Sequence, residues 1–230
     1  MAFIDVIKAK AKADKKRIVL PEGMDRRIWE AAVEIVKDDI ADLTVIATEE
    51  DVKNNTEGLN LAGINIIDPV RSDKLEKYTA DLAELRRMKG MTIDEARELL
   101  TTDYVYYACM MLRENEADGV VSGACHSTAN TLRPALQLVK AKPGVKLVSA
   151  FFIMVVPDCE YGANGTFLFA DCGLEQNPDP EKLAAIAVDS ANSFAKLVEE
   201  EPLVAFLSHS TKGSARHPDL SLIHISEPTR

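Results

Sequence analysis

The stretch RIVLPEGMDRRIWEAAVEIVKDDIADLTVIA, residues 17–47, decides the fold class. Arg17 to Leu20 is a short apolar run closed by Pro21, which reads as a strand entering a loop. Asp25 can then cap a helix whose apolar positions Ile28, Ala31, Ala32, Ile35 and Val36 recur at helical spacing. Leu43 to Ala47 is again a strand. The alternation continues on both sides of this unit. Residues 3–14 have Phe3, Ile4, Ile7 and Ala11 at helical spacing, and Ile64 to Ile67 is a third strand closed by Asp68 and Pro69. A helix is expected over 73–88, another behind the capping box of Thr92 and Glu95, and a third from Tyr104 to Arg113. Val120 and Val121 make a short strand ending at Ser122 and Gly123, and His126 to Lys140 is mainly helical, with Pro134 placed close to its first turn. Lys146 to Val156 reads as a long buried strand, Thr166 to Ala170 as the next, and Val204 to Leu207 as the last. Asp179 followed by Pro180 is a strong start for a helix reaching about Glu200. Strands alternating with helices specify an α/β fold on mostly parallel sheets. In such sheets ligands collect at the carboxyl ends of strands, near a switch in strand order.

Composition narrows the chemistry. The 230 residues are 47% hydrophobic and 28% charged, enough for a substantial core without disulfides or metal. A net charge of -10 excludes nucleic acid as a main partner, since phosphate neutralisation needs excess Lys and Arg. It leaves room for a small anion held by a local cluster of Arg and N–H groups. Cys109, Cys125, Cys159 and Cys172 form no CxxC and have no His at ligand spacing, so no metal is expected. Met1 to Lys16 is too charged for the apolar core of a signal peptide, and Leu147 to Pro157 is too short to cross a membrane as a helix. The expectation is a cytoplasmic protein with reduced thiols and no membrane partner.

Three loops at strand ends could carry chemistry. Ser122 to Arg133 follows a strand and opens a helix, offering hydroxyls, backbone N–H groups and an Arg; it is either an anion site or a capped helix with a surface Arg. Pro157 to Gly165 joins two apolar strands and reads as a hairpin, with Cys159 a packed or bystander thiol rather than a nucleophile. Ser208 to Arg216 combines hydroxyls, Lys212 and Gly213, suited to phosphate or a nucleotide tail, and equally to a polar surface loop. It is not a Walker sequence. Arg86, Arg87 and Lys89 read as a solvated helix face, His126 as a hydrogen-bonded packed side chain, and His209 and His217 have no nameable partner.

A colinear set of segments resembles the phosphate acetyltransferase family. It comprises Arg17 to Gly23, Glu84 to Gly90, and Asp118 to Gly123 running on through His126-Ser127-Thr128 to Thr131-Leu132-Arg133-Pro134-Ala135-Leu136-Gln137. It continues with Phe167 to Asp171, Asn177-Pro178 and Ser210 to Ser214. The resemblance implies two α/β domains similar to those of isocitrate and isopropylmalate dehydrogenases, and a homodimer. It implies direct exchange of an acetyl group between acetyl-CoA and phosphate, giving acetyl phosphate and CoA, with no tightly bound cofactor. By position, Arg133 matches the family Arg that holds phosphate or acetyl phosphate, and Arg86 the second such Arg, with Arg87 its less favoured neighbour. Ser127, Thr128 and Thr131 line the same loop, and Cys159, Ser210, Thr211, Lys212 and Gly213 fall near the coenzyme A site.

The family's Asp base and Ser-Arg pair sit in an Asn-Asp-Leu-Ser-Arg-Gly type of motif, which this sequence lacks. The pattern is read as ending at Pro218, with 1–145 a first domain, 146–218 the start of a second and 219–230 a non-native tail. No catalytic residue is therefore assigned, and little turnover and marginal stability are expected of the chain by itself. The alternatives are phosphate butyryltransferase, a non-catalytic ligand-binding domain of the same fold, and a decarboxylating dehydrogenase, whose metal-holding Asp cluster is not visible.

Overall fold

The computed structural model of the protein describes residues 3–145 and 147–207. It divides into two units, Met1–Lys140 and Ala141–Arg230.

The first unit is built on four strands, β1 (Arg17–Leu20), β2 (Asp42–Ile46), β3 (Ile64–Ile67) and β4 (Gly119–Val120). They lie in the order β3-β2-β1-β4, every pair parallel, with Ile18 beside Leu43 on one side and Gly119 on the other. Alternation along the strands sends side chains to two cores. Leu20, Leu43, Val45 and Ala47 pack with Trp29 and Ala32 of α2 (Arg26–Asp38). Val19 and Ile46 pack with α4 (Leu75–Arg86), α5 (Ile93–Thr102) and α6 (Tyr104–Arg113). A parallel sheet needs both faces covered, and these helices supply the cover. In α6, Tyr104 through Met111 are all buried, as a segment apolar all round must be.

The caps follow the sequence. Asp25 accepts the Arg27 N–H at the start of α2, and Thr92 with Glu95 forms the predicted capping box of α5. A second capping box, Thr48 with Asp51, opens α3 (Glu49–Asn55), a helix the periodicity did not reveal because none of its residues is buried. The N-terminal α1 (Phe3–Ala13) is tied by Lys8 to Asp38 at 2.6 Å.

One prediction in this unit needs correction. Pro134 does not open a helix: α7 (Thr128–Pro134) ends on it, and a π-helical turn, Ala135–Val139, follows. Pro134 has no N–H to give to the turn before it. The Ala135 N–H goes to the Leu132 carbonyl and that of Lys140 to the Ala135 carbonyl, so the chain passes the proline by changing its winding.

In the second unit, β5 (Phe151–Val155) and β6 (Thr166–Ala170) form an antiparallel pair joined by the expected hairpin. Gly165 has φ +83°, and a Cβ there would meet the Val156 carbonyl oxygen at 2.1 Å, so the turn needs glycine. The strand is shorter than the predicted 146–156 and is not buried: Phe152 is 56% and Val155 50% exposed. Phe152 and Met154 lie two positions apart on one side of the strand and both are exposed, so among the described residues that face has no covering layer. Asp179 caps α8 (Pro180–Val198) through the Lys182 N–H at 2.8 Å, with Pro180 in its first turn as predicted. Residues 201–207 carry no regular structure, so the strand predicted at Val204 to Leu207 is absent. An apolar run becomes a strand only where a neighbour takes its N–H and C=O groups, and no described residue does so here. No helix among the described residues is long and apolar enough to cross a membrane.

Candidate functional site

The strand order reverses between β1 and β4: the chain steps outward from β1 to β2 and β3, then returns to the other side of β1. The loops leaving β1 and β4 therefore meet at the switch point where α/β sheets bind ligands. Glu22, two residues beyond β1, is fully buried there. The Gly23 N–H donates to the Ile46 carbonyl at 3.2 Å, and the Trp29 indole donates to the Gly23 carbonyl at 2.7 Å. A Cβ on Gly23 would lie 2.5 Å from both Ala47 Cβ and the Ile46 oxygen, so this backbone is pressed against the end of β2.

From that base the Glu22 carboxylate reaches the loop after β4. Oε2 accepts the N–H groups of Gly123 and Ala124, each at 2.9 Å. Oε1 accepts those of Cys125 at 2.9 Å and His126 at 3.0 Å, with His126 Nδ1 2.7 Å away. Arg27 adds a bond to the Ala124 carbonyl at 2.9 Å. The sequence offered the N–H groups of this loop to an external anion; at positions 123–126 they are already bonded to the protein's own carboxylate. Successive N–H groups form a nest for negative charge, and Glu22 occupies it. This residue was missed because nothing in the sequence links positions a hundred apart. Its only local signal is a lone acid between Pro21 and Gly23 at a strand end.

Burial pushes the Glu22 carboxyl up, but the Cys125 N–H, the His126 imidazole and the N–H groups of Ala124 and Gly123 outweigh it and bring it down to about 2. Its folded value is thus below the ordinary 4.5 of an unfolded chain. The stabilisation is fully present above about pH 4.5 and is lost as pH falls toward about 2. Urea titrations followed by the fluorescence of Trp29, the sole tryptophan, should show a midpoint falling across that window and a flatter profile in Glu22→Gln.

The remaining predicted residues lie along α7 and α4. Ser127 caps α7, its Oγ accepting the Asn130 N–H at 3.2 Å; Thr128 is exposed; Thr131 is half-buried, with an Oγ1 that is buried and without a hydrogen-bond partner. Arg133 is exposed in the last turn of α7 and Arg86 half-buried at the end of α4, its Nε buried and unbonded. Both reach the field of one phenol. Burial raises the pKa of Tyr106 and Asp103 adds to it, while Arg133 and Arg86 pull it down. The Tyr106 hydroxyl donates to Gln137 at 3.0 Å.

These two arginines differ from the other described arginines. Arg17, Arg26, Arg27, Arg71, Arg87 and Arg97 each hold a carboxylate, and Arg113 holds the Leu138 carbonyl. Arg86 and Arg133 have no side-chain hydrogen bond or ion pair with a described residue. The same contrast separates Arg86 from Arg87, whose side chain is 70% exposed and paired with Glu84 at 3.2 Å.

Glu22 Oε1, Cys125 Sγ and His126 Nδ1 lie within 4.8 Å of one another, a grouping the sequence spacing did not anticipate. All three atoms are already engaged among themselves and with the loop N–H groups, and burial, with Glu22 adding, pushes the Cys125 thiol up to about 11. A metal would have to displace that proton and those bonds. In the second unit Cys159 is half-buried, its Sγ 4.0 Å from the Tyr161 carbonyl oxygen. Ser210, Thr211, Lys212 and Gly213, like His209 and His217, lie outside the described residues.

Comparison with known proteins identifies the family. The pattern of the phosphate acetyl/butaryl transferase family matches residues 2–225, running past Pro218, where the sequence reading ended the resemblance. The phosphate acetyltransferase of Thermoanaerobacterium thermosaccharolyticum is 52% identical over 94% of this chain and 66% of its own length. That of Acetivibrio thermocellus is also 52% identical, over 94% of this chain and 65% of its own. Among solved structures, the EutD phosphotransacetylase from Staphylococcus aureus superposes with a TM-score of 0.83 at 36% identity, covering 97% of this chain and 66% of that one. A phosphotransacetylase from Streptococcus pyogenes gives 0.84 at 32% identity, covering 98% and 68%. The chain thus spans slightly less than two thirds of the length of the first two of these relatives, and it belongs to the phosphate acetyl/butaryl transferase family.

Proposed function

We propose that this protein holds inorganic phosphate or acetyl phosphate between Arg86 and Arg133 and serves the exchange of an acetyl group between acetyl-CoA and phosphate. The supporting observation is that, in a chain of net charge -10, these two arginines have no partner among the described residues while the other described arginines are engaged. Both guanidinium groups act on the field at Tyr106, and two such charges can hold a dianion, with the unbonded Arg86 Nε and Thr131 Oγ1 as donors awaiting an acceptor. Ser127 and Thr128 supply further hydroxyls. Clamping the phosphate turns one of its oxygens toward the thioester carbonyl, where it forms the new C–O bond as the CoA thiolate leaves. In reverse, the thiolate attacks the acetyl carbonyl and phosphate departs.

Coenzyme A enters as a substrate, with Cys159 and the stretch Ser210 to Gly213 as its proposed neighbours and no tightly held cofactor. No stretch of the sequence matches the Asn-Asp-Leu-Ser-Arg-Gly pattern, so phosphate binding is proposed for this chain and acetyl transfer by it alone is expected to be slow. Acetyl is favoured over butyryl because the relatives described above are phosphate acetyltransferases. The two-domain isocitrate dehydrogenase-like class, a homodimer and a cytoplasmic location complete the proposal.

The test is phosphate binding by isothermal calorimetry, with acetyl phosphate as competitor. Arg86→Ala should weaken binding about tenfold, the loss of one charge-assisted hydrogen bond of about 1.5 kcal/mol. Arg87→Ala should stay within about twofold, because exposed ion pairs contribute little. Equal effects of the two substitutions, or no phosphate binding by the unsubstituted chain, would overturn the reading.

A further inference from the structure

We infer that Glu22 is a positioning residue for the phosphate site: its carboxylate fixes residues 123–126 and so sets the start and rotation of the helix that aims Arg133. The inference rests on the phosphate reading of Arg133 given above.

The loop has little else to order it. Val121, Gly123, Cys125 and Ser127 are exposed, and Gly123 takes φ +121°, outside the range of most side chains. What holds it is one buried acid accepting four consecutive N–H groups, assisted by the His126 ring and by Arg27 on the Ala124 carbonyl. The acid itself is rigid, since Gly23 is bonded to β2 on its N–H and to Trp29 on its carbonyl. The helix beginning right after this loop is seven residues long, too short to fix its own frame. At 3.6 residues per turn, a slip of one residue at its start would swing Arg133 by about 100°.

The same arrangement divides the work of binding. The four loop N–H groups are saturated by an internal anion, so they hold the loop and leave the incoming phosphate to the arginines. A side chain of the same length that offered an NH2 in place of one oxygen would face two loop N–H groups donor to donor.

The test compares Glu22→Gln and Arg133→Ala with the unsubstituted full chain. Inorganic phosphate is the probe, under conditions where urea titration shows each variant fully folded. Positioning predicts a phosphate Kd about tenfold weaker in Glu22→Gln, since a buried donor left without its acceptor is strongly unfavourable. It also predicts displaced amide resonances at Gly123 to His126, and a weaker Kd again in Arg133→Ala. If Glu22→Gln is folded and binds phosphate as tightly as the unsubstituted chain while Arg133→Ala does not, the positioning role is wrong and the phosphate reading stands. If Arg133→Ala binds normally, the phosphate reading itself fails and this inference with it. Should Glu22→Gln not fold, amide hydrogen exchange in the unsubstituted protein decides. Slow exchange at Gly123, Ala124, Cys125 and His126, in a loop this exposed, supports the pinning, and exchange at the rate of free loop amides overturns it.

Discussion

Arg133→Ala is expected to weaken phosphate binding about a hundredfold. A guanidinium facing a phosphate makes two parallel charge-assisted bonds, and losing them removes about 3 kcal/mol. The substitution separates binding from folding. Arg133 is exposed and bonded to no described residue, so unfolding stability should change by less than about 0.5 kcal/mol. Arg133→Lys keeps the charge and loses the planar fork, and should recover only part of the affinity. The loss should also shrink as salt is raised, because an exposed charge is screened over about 10 Å at 0.1 M. Calorimetric titration of phosphate into the three proteins at two salt concentrations checks all of this. Retention of full affinity in Arg133→Ala would show that the anion, if held at all, is held elsewhere.

The largest effect on stability is expected from Trp29→Ala. Trp29 is fully buried between α2 and the sheet, packed with Leu20, Leu43 and Val45. Truncating it removes the largest apolar side chain of that core and leaves a cavity, a loss of about 4 kcal/mol. That is a large share of the ~5–15 kcal/mol by which domains are ordinarily stable. The indole N–H also holds the Gly23 carbonyl at 2.7 Å, next to Glu22. The damage should therefore spread to the loop beyond β4, and phosphate binding should weaken even where the variant is folded. Trp29→Phe keeps most of the packing but leaves the Gly23 carbonyl without its donor, and should fall between. Urea titrations followed by circular dichroism measure the first effect and phosphate calorimetry the second. A Trp29→Ala variant with an unchanged urea midpoint would contradict the packing described here.

Much of this protein was legible residue by residue. Local patterns fixed the strands at Arg17–Leu20 and Ile64–Ile67, the caps at Asp25, Thr92 and Asp179, and the hairpin around Gly165. Each of these depends on neighbours within a few positions, where backbone sterics and short hydrogen bonds decide. The failures share an opposite cause. The π-helical turn after Pro134, the exposure of Phe152 and Val155, and the missing strand at Val204 to Leu207 depend on which partners the rest of the chain supplies.

The candidate site divides along the same line. Arg86 and Arg133 were named by position from the resemblance to the phosphate acetyltransferase family, which also put Ser127, Thr128 and Thr131 in the same loop as Arg133. The resemblance preferred Arg86 to Arg87, and the folded chain adds the physical difference, which is one of burial and pairing. Only the folded chain brings Glu22 to the N–H groups of residues 123–126, across a hundred positions of sequence. The sequence by itself determined the class of fold and which residue types could meet an anion, since propensity and charge are carried by each residue alone. The tertiary structure decided which N–H groups are already satisfied and which guanidinium groups have no partner among the described residues, since the order β3-β2-β1-β4 sets two remote loops side by side and a hydrogen bond acts over about 3 Å.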